Sequence, residues 1–176
     1  GSESTASLTI YRLKLDNEIA YDPVNFANIN LDETLRQGLI AGTSWQLTRQ
    51  LGMSASYTLT DAEVKNGAFN GKDIPFVAKH SGRVAADYQF NPDWQFYGEL
   101  VAVSDRVMSG DFNNVLEKLP GYGVVNLGAS YLYKQVEFAA RVNNLFDRAY
   151  SDVAQLGTDP VSIAPRADFI PSQERN

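Results

Sequence analysis

Apolar and polar residues alternate along residues 119–150 in the pattern of a β-hairpin. In the second half, the apolar positions Val136, Phe138, Ala140 and Val142 alternate with Glu137, Ala139, Arg141 and Asn143. In the first half, Val125, Leu127, Ala129, Tyr131 and Tyr133 alternate with Asn126, Gly128 and Ser130. Because successive side chains of a strand point to opposite faces, each half is predicted to be a strand with one apolar face. Only Lys134 and Gln135 separate the halves, so a tight turn is predicted to join them.

The same alternation predicts further strands in residues 8–19, 34–47, 53–60, 83–90 and 94–102. In the first of them, Tyr11, Leu13 and Leu15 are predicted to share one face, with Arg12 and Lys14 on the other. Short and long connections alternate between the strands, and the long ones are residues 20–30, 61–73 and 104–118. An up-and-down antiparallel sheet with this order collects every short turn at one end, as outer-membrane barrels do.

We therefore predict an all-β fold, an antiparallel up-and-down transmembrane β-barrel segment with about seven long strands, short periplasmic turns and long external loops. Aromatic residues near the short turns fit a membrane interface: Trp45, Tyr88, Phe90, Trp94, Phe96, Tyr131 and Tyr133. The charged residues would then face the lumen: Arg12, Lys14, Arg36, Arg83, Asp87, Glu99, Glu137 and Arg141. Alternation alone fits a soluble barrel equally well, but small mid-strand residues such as Ala41, Ala55 and Ala86 favour the membrane arrangement.

The composition excludes several classes of function. The 176 residues include no cysteine, which removes disulfides and thiolate metal sites, and the net charge of −6 argues against nucleic acid as a partner. The single histidine, His80, is interpreted as a strand-entry residue, and we expect neither an enzyme nor a cofactor or metal site. Asp61, Glu63 and Asp73 could hold a cation, although a solvated loop is the simpler interpretation.

A resemblance carried by the last hairpin identifies a family. Residues 141–150, RVNNLFDRAY, preceded by LPGYGVVNL at residues 119–127, resemble the closing hairpin of the TonB-dependent outer-membrane receptors. The resemblance covers most of the chain from about residue 8, and it includes residues 36–39, 54–61 and 74–81. It implies a structural role for the motif residues Asn144, Leu145, Phe146, Asp147 and Tyr150. We expect Asn144 or Asp147 to satisfy backbone groups where the strand leaves the membrane.

The resemblance also suggests a division of the chain. Residues 1–2 are interpreted as an expression scar, and residues 3–150 as a C-terminal receptor barrel segment that lacks the plug and the final strand. Residues 151–176 are interpreted as a polar external loop or tail. We expect a piece of a larger barrel of about 22 strands.

By resemblance, the parent protein lies in the bacterial outer membrane and binds and imports a scarce nutrient such as a ferric siderophore. The implied partners are outer-membrane lipid, the remaining barrel strands and plug, the nutrient, and the TonB complex through the parent only. The long loops would carry recognition. Their aromatic residues are the candidate ligand contacts: Tyr21, Phe26, Phe69, Phe112 and Tyr150.

Two alternatives remain open from the sequence. One is a small closed outer-membrane barrel of about eight strands with a structural or adhesive role, in which the tail supplies the last strand. The other is a soluble lipocalin-like calyx, in which the apolar face points inward and binds a small ligand.

Overall fold

The computed structural model describes residues 4–158 and 165–172. The strands of these residues are β1 (Ser4–Asp16), β2 (Ile19–Asp22), β3 (Ala27–Asn30), β4 (Glu33–Gln46), β5 (Leu51–Val64), β6 (His80–Gln89), β7 (Trp94–Val103), β8 (Tyr122–Tyr133), β9 (Val136–Val142), β10 (Ser151–Thr158) and β11 (Pro165–Pro171), with one 3-10 turn at Gly67–Phe69. The predicted scar at residues 1–2, and residues 159–164 and 173–176 of the predicted tail, lie outside the described residues. No helix among the described residues is long and apolar enough to cross a membrane.

Seven strands form one open antiparallel sheet in the order β1-β4-β5-β6-β7-β8-β9. The connections at residues 47–50, 90–93 and 134–135 are short, and they all lie at the same end of the sheet. In the shortest of them, Lys134 adopts a φ of 58°, as a two-residue hairpin turn requires. The up-and-down topology and the separation of short turns from long loops confirm the predicted fold.

Two predicted loops contain hairpins of their own. Strands β2 and β3 pair within the connection predicted as a loop at residues 20–30, and β10 and β11 pair within the predicted polar tail. Each of β2 and β3 has only four residues, too few for a reliable alternation pattern. In the described residues β10 pairs with β11 and not with β1 or β9, so the tail does not supply an eighth strand to the sheet.

The register of the sheet sorts the side chains into an apolar face and a polar face. Residues that lie opposite each other share a face, and one row across the centre of the apolar face consists of Thr43, Ala55, Val84, Leu100 and Val125. The apolar side chains are left uncovered, with Leu100 46% and Phe138 60% exposed. A soluble calyx would bury these groups, whereas an outer-membrane barrel exposes them to lipid.

The assignment of Arg12 and Lys14 to the lumen was wrong. In the register, Arg12 lies opposite Gln37 and Lys14 opposite Leu35, which places both on the same face as Ile10. Leu13 lies opposite Arg36 instead. Strand β1 carries its apolar face nearer its start, and beyond Ile10 this face becomes polar because the strand approaches the long-loop end. Lys14 Nζ accordingly pairs with Glu33 Oε2 at 2.9 Å.

Most buried apolar side chains lie at the long-loop end. Eleven of the thirteen identified in the described residues are in or beside the loops: Leu31, Leu35, Ala62, Val64, Ile74, Val107, Met108, Phe112, Leu119, Ala154 and Leu156. The other two, Ala85 and Val124, lie on the polar face of the sheet. The sheet therefore separates an apolar side from a polar side. Most of the buried apolar side chains pack in the loops at its long-loop end.

Candidate functional site: the external loop layer

The long connections pack together at one end of the sheet. We call this set the external loop layer, and it consists of residues 17–32, 65–79, 104–121, 143–158 and 165–172. The connection at residues 104–121, named the central loop here, contacts residues 17–32, 65–79 and 143–158, as the following contacts show. Since binding residues of scaffold proteins concentrate on loops held by a rigid sheet, this layer is the candidate site.

The central loop is fixed to residues 65–79 by hydrogen bonds and by a pair of aromatic rings. The N–H of Asp73 donates to Asn114 Oδ1 at 2.6 Å, and Asn114 Nδ2 donates back to the Asp73 carbonyl at 3.1 Å. The ring centres of Phe69 and Phe112 lie 5.5 Å apart. These contacts hold two external loops as one unit.

The central loop also holds the β10–β11 hairpin. The N–H of Ser109 donates to the Ala154 carbonyl at 3.1 Å, and the N–H of Leu156 donates to the Ser109 carbonyl at 2.8 Å. Met108, Leu119 and Ala154 form a buried apolar cluster beside these bonds. The hairpin in the predicted tail is therefore an integral part of the loop layer.

A third contact joins the central loop to the β2–β3 hairpin. Gly110 has a φ of +91°, and a Cβ atom there would lie 2.7 Å from Cγ of the buried Pro23 and 3.3 Å from Cβ of Leu156. A larger residue at Gly110 would strain the backbone and push the neighbouring loops apart. Three connections therefore meet at one glycine.

An ion pair fixes the base of the β2–β3 hairpin to the sheet. Arg36 donates from Nη1 and Nη2 to the two carboxylate oxygens of Glu18, both at 2.7 Å, and Thr34 also donates to Glu18. The two charged side chains are about four-fifths buried, at 22% and 21% exposure. The hydrogen bond from Arg36 is the main cause that lowers the pKa of the Glu18 carboxyl, and it outweighs the opposing effect of burial.

We expect the base of this hairpin to loosen in acid. Since the folded pKa of Glu18 lies below its ordinary value, the ionised carboxyl stabilises the closed base above that value, and the stabilisation is lost as the pH falls through the lowered pKa. Hydrogen exchange of the Leu31 amide, which donates to the Glu18 carbonyl at 2.8 Å, measures the opening after correction for intrinsic pH dependence. Glu18→Gln should abolish this acid step, and an identical step in that variant would assign it to another group.

The tip of the β2–β3 hairpin presents two exposed aromatic rings. The Asp22 carboxylate accepts hydrogen bonds from the Val24 N–H at 2.9 Å and from Asn25 Nδ2 at 2.7 Å. Burial opposes ionisation of Asp22, but these bonds prevail and lower the pKa of its carboxyl. The turn holds Phe26 at a φ of 52° with 74% of the residue exposed, and Tyr21 is 54% exposed. A positive φ on a non-glycine residue costs free energy unless the surrounding contacts fix it, as the Asp22 bonds do here.

The other predicted aromatic contacts are less accessible. Phe69 and Phe112 pack against each other, and Phe112 is only 7% exposed, so its ring supports the loops from within. Tyr150 packs against Tyr122 with ring centres 4.3 Å apart. Burial, and then the negative charge of Asp152, raises the pKa of Tyr150. The structure therefore leaves Tyr21 and Phe26 as the exposed members of the predicted set.

The motif at the end of β9 organises the chain as it leaves the sheet. Asn144 is 3% exposed, its Nδ2 donates to the Arg148 carbonyl at 2.9 Å, and its Oδ1 accepts from the Arg148 N–H at 3.0 Å. The Leu145 N–H donates to the Val125 carbonyl at 2.8 Å, and the Asp147 N–H donates to the Asn144 carbonyl at 2.8 Å. Phe146 is 75% exposed. The expected bonding of backbone groups is made by the side chain of Asn144.

The sequence placed Arg83, Glu99 and Arg141 among the lumen-facing residues but did not show that they form one polar cluster. Glu99 accepts hydrogen bonds from Arg83, from Asn126 at 2.9 Å and from Arg141 at 3.4 Å. Arg83 also donates to the hydroxyl of Tyr97 at 2.9 Å. These residues come from four strands, and only the register of β6 to β9 brings them together, so no local pattern reveals the cluster.

The carboxylates considered for a cation do not form a site. Each of them lies near a lysine: Asp61 with Lys79 at 4.0 Å, Glu63 with Lys65, and Asp73 with Lys118 at 3.2 Å. Within residues 4–158 and 165–172, no three His, Cys, Asp or Glu side chains are placed to share a metal ion. His80 Nδ1 instead lies 2.6 Å from the Tyr57 hydroxyl, on the apolar face near the loop end.

A concavity of about 750 Å³ lies on the apolar face. It is lined by residues that include Leu8, Ala41, Ala55, Val84 and Leu100. In a membrane barrel this surface is covered by lipid tails. The candidate ligand contacts are therefore on the loop layer.

An open sheet with an uncovered apolar face, short turns at one end and a packed loop layer at the other defines a segment of an outer-membrane β-barrel receptor. Residues 1–145 match the family model described as TonB dependent receptor-like, beta-barrel, and the chain belongs to this family. Its location is the bacterial outer membrane, and the family is one of transport receptors that bind siderophore or metal ligands and work with TonB.

Characterised relatives include metal receptors. The chain is 33% identical over 150 residues to the metal-pseudopaline receptor of Pseudomonas aeruginosa, covering 82% of this chain and 21% of the relative. It is 28% identical over 150 residues to the ferrichrome outer membrane transporter/phage receptor of Escherichia coli, covering 80% of this chain and 20% of the relative. The chain thus spans about a fifth of the length of these curated relatives.

Solved structures agree with the fold. The ferric yersiniabactin uptake receptor of Yersinia pestis superposes with a TM-score of 0.81 at 13% identity, covering 98% of this chain and 26% of that one. The siderophore receptor PiuA of Acinetobacter baumannii gives a TM-score of 0.77 at 21% identity, covering 98% and 25%. At these identities the superpositions establish the architecture alone.

Proposed function

We propose that this chain is the C-terminal barrel part of an outer-membrane receptor that binds a metal–chelator complex, such as a ferric siderophore, at its external surface. The receptor imports the complex with energy supplied through the TonB complex. The observation that carries the proposal is the packed loop layer, which presents exposed aromatic rings at the β2–β3 tip. This layer stands on a barrel wall of the kind found in a family of transport receptors. The name of the Pseudomonas relative supports a metal chelate as the ligand class.

The remaining barrel strands and a plug complete the proposed receptor. Strands β1 and β9 are the edges of the described sheet, and their outer backbone groups need partners that lipid does not supply. Further strands pairing with these edges satisfy them and close the barrel. The polar wall around Glu99 then faces a lumen, which in the proposed receptor holds the plug. Energy coupling to TonB belongs to the complete receptor.

The binding test uses the purified complete receptor in detergent with a panel of ferric siderophores and other metal–chelator complexes. Saturable binding of at least one complex, measured by quenching of intrinsic fluorescence, is the expected result. Phe26→Ala should weaken that binding by about fivefold, because the exposed ring at the β2–β3 tip loses its contact area with the ligand.

Phe90→Ala is the matched control, since Phe90 is also an exposed ring, 56% accessible, but lies at the short-turn end of the sheet. Its affinity should equal that of the unmodified protein. Failure of every metal complex to bind would overturn the proposed ligand class, while binding that is equally strong in Phe26→Ala would reject only the role of the β2–β3 tip.

A further inference from the structure

Arg106 lies where three parts of the loop layer meet. Its side chain is 6% exposed, and its Nη2 donates a hydrogen bond to the backbone carbonyl of Asp152 in β10. Its guanidinium carbon lies 5.4 Å from the ring centre of Phe76, in residues 65–79. Its own backbone pairs with Leu119 across the central loop, through bonds of 3.1 and 2.8 Å.

The buried charge of Arg106 is incompletely compensated. Asp152 Oδ1 is 3.9 Å from Nη2, beyond hydrogen-bond distance, and the Asp152 carboxylate is half exposed and already accepts a bond from the Tyr122 hydroxyl. Arg106 Nη1 is buried and has no hydrogen-bond partner in the part of the chain that the structure describes. A buried guanidinium with an unpaired donor costs free energy that an undocked, hydrated arrangement would not.

Other contacts favour docking of the β10–β11 hairpin without Arg106. The two backbone bonds of Ser109 with Ala154 and Leu156, and the apolar cluster of Met108, Leu119 and Ala154, hold the hairpin to the central loop. Opening of the hairpin breaks these contacts and the hydrogen bond from Arg106 Nη2 to the Asp152 carbonyl, but it opens the guanidinium to water. The apolar contacts and the buried charge therefore act in opposite directions.

We infer that Arg106 weakens the docking of the β10–β11 hairpin on the central loop, so that the hairpin separates more readily than its apolar contacts alone would allow. The nearby Asp152 carboxylate partly offsets the buried charge of Arg106 and therefore favours docking. The inference concerns the unliganded protein and goes beyond the proposed function, because it holds whatever ligand the receptor binds.

Hydrogen exchange of the Ser109 and Leu156 amides measures the separation directly, since both donate across the junction. In the purified unliganded receptor in detergent, Arg106→Met should slow exchange of both amides by about tenfold, because it removes the buried charge and keeps an unbranched side chain against Phe76. Asp152→Asn should speed exchange by about tenfold, because it removes the nearby carboxylate and keeps an acceptor for Tyr122.

Matched controls separate this effect from a general change in charge. Arg49→Met lies in the short turn at residues 47–50, and Glu117→Gln lies exposed in the central loop, so neither should change exchange by more than about twofold. Exchange of the Leu31 amide, in the β2–β3 hairpin, reports whether each variant is folded. Faster exchange in Arg106→Met would make Arg106 an ordinary structural anchor, and unchanged exchange in both variants would show that its charge does not control docking; either result overturns the inference.

Discussion

Replacing Ala55 by arginine should destabilise the membrane-embedded protein by about 2–4 kcal/mol. Ala55 lies at the centre of the apolar face, opposite Thr43 on β4 and Val84 on β6. Aromatic residues near the short turns and the Tyr57–His80 pair near the loops border this part of the face. A guanidinium there would either enter hydrocarbon or draw water and headgroups to it, and both are costly.

The matched control is Ser54→Arg, one position earlier on the same strand. Ser54 lies on the polar face, opposite Ser44 and Ala85, and lines a space of about 440 Å³ together with Asp87. An arginine there finds room and a carboxylate, so its effect should remain within about 1 kcal/mol. Denaturant unfolding of the complete receptor in lipid vesicles measures both variants. A larger loss for Ser54→Arg than for Ala55→Arg would reverse the assignment of the two faces.

The sheet could be predicted because the alternation of apolar and polar residues is regular in most of its strands and the short turns between them are clear. In β5 the apolar set Met53, Ala55, Tyr57 and Leu59 alternates without interruption, and the turns that follow β4 and β6 are only a few residues long. These local features determine strand order once the topology is up-and-down. The alternation of short and long connections, the aromatic positions and the family motif in residues 141–150 together supplied the membrane context, which alternation of side chains cannot provide because a soluble core has the same period.

In β1, alternation did not identify which residues lie on the apolar face of the sheet. Leu13 and Leu15 are apolar, and the sequence alone assigned them to the face that meets lipid. In the structure they share a face with Arg36, while Leu8 and Ile10 carry the apolar surface. Beyond Ile10 the strand approaches the loop layer, and there the polarity of a residue no longer indicates its face. Only the pairing register with β4 shows which face each residue of β1 occupies.

The loop layer could not be predicted because its contacts are not local. Phe69 and Phe112 were proposed as ligand contacts, yet they pack on each other across two different connections. Arg106 reaches Asp152, and Pro23 reaches Gly110, each across a long separation in sequence. Composition identifies such residues as loop aromatics or loop charges, but their accessibility depends on which connections meet. Tyr21 and Phe26 are exposed, although Pro23 between them is buried against the central loop.

Asn144→Ala should destabilise the receptor by about 3 kcal/mol through two separate effects. The variant loses both side-chain hydrogen bonds with the backbone of Arg148, from a residue that is 3% exposed. It also places alanine at a φ of 50°, which costs about 1 kcal/mol relative to a residue that tolerates the left-handed region. The hydrogen bond from the Asn144 backbone N–H to the side-chain Oδ1 of Asn126, at 2.9 Å, does not involve the Asn144 side chain and should remain.

Two further substitutions separate the hydrogen bonds from the backbone conformation. Asn144→Gly tolerates the positive φ but makes neither bond, and Asn144→Asp keeps the acceptor for the Arg148 N–H and loses the donor. The expected order of destabilisation, from denaturant unfolding in the same vesicles, is alanine, then glycine, then aspartate. If glycine were as stable as asparagine, the residue would be needed only for its backbone conformation. If alanine and glycine were equal, the side-chain bonds alone would explain why asparagine stands where β9 leaves the membrane.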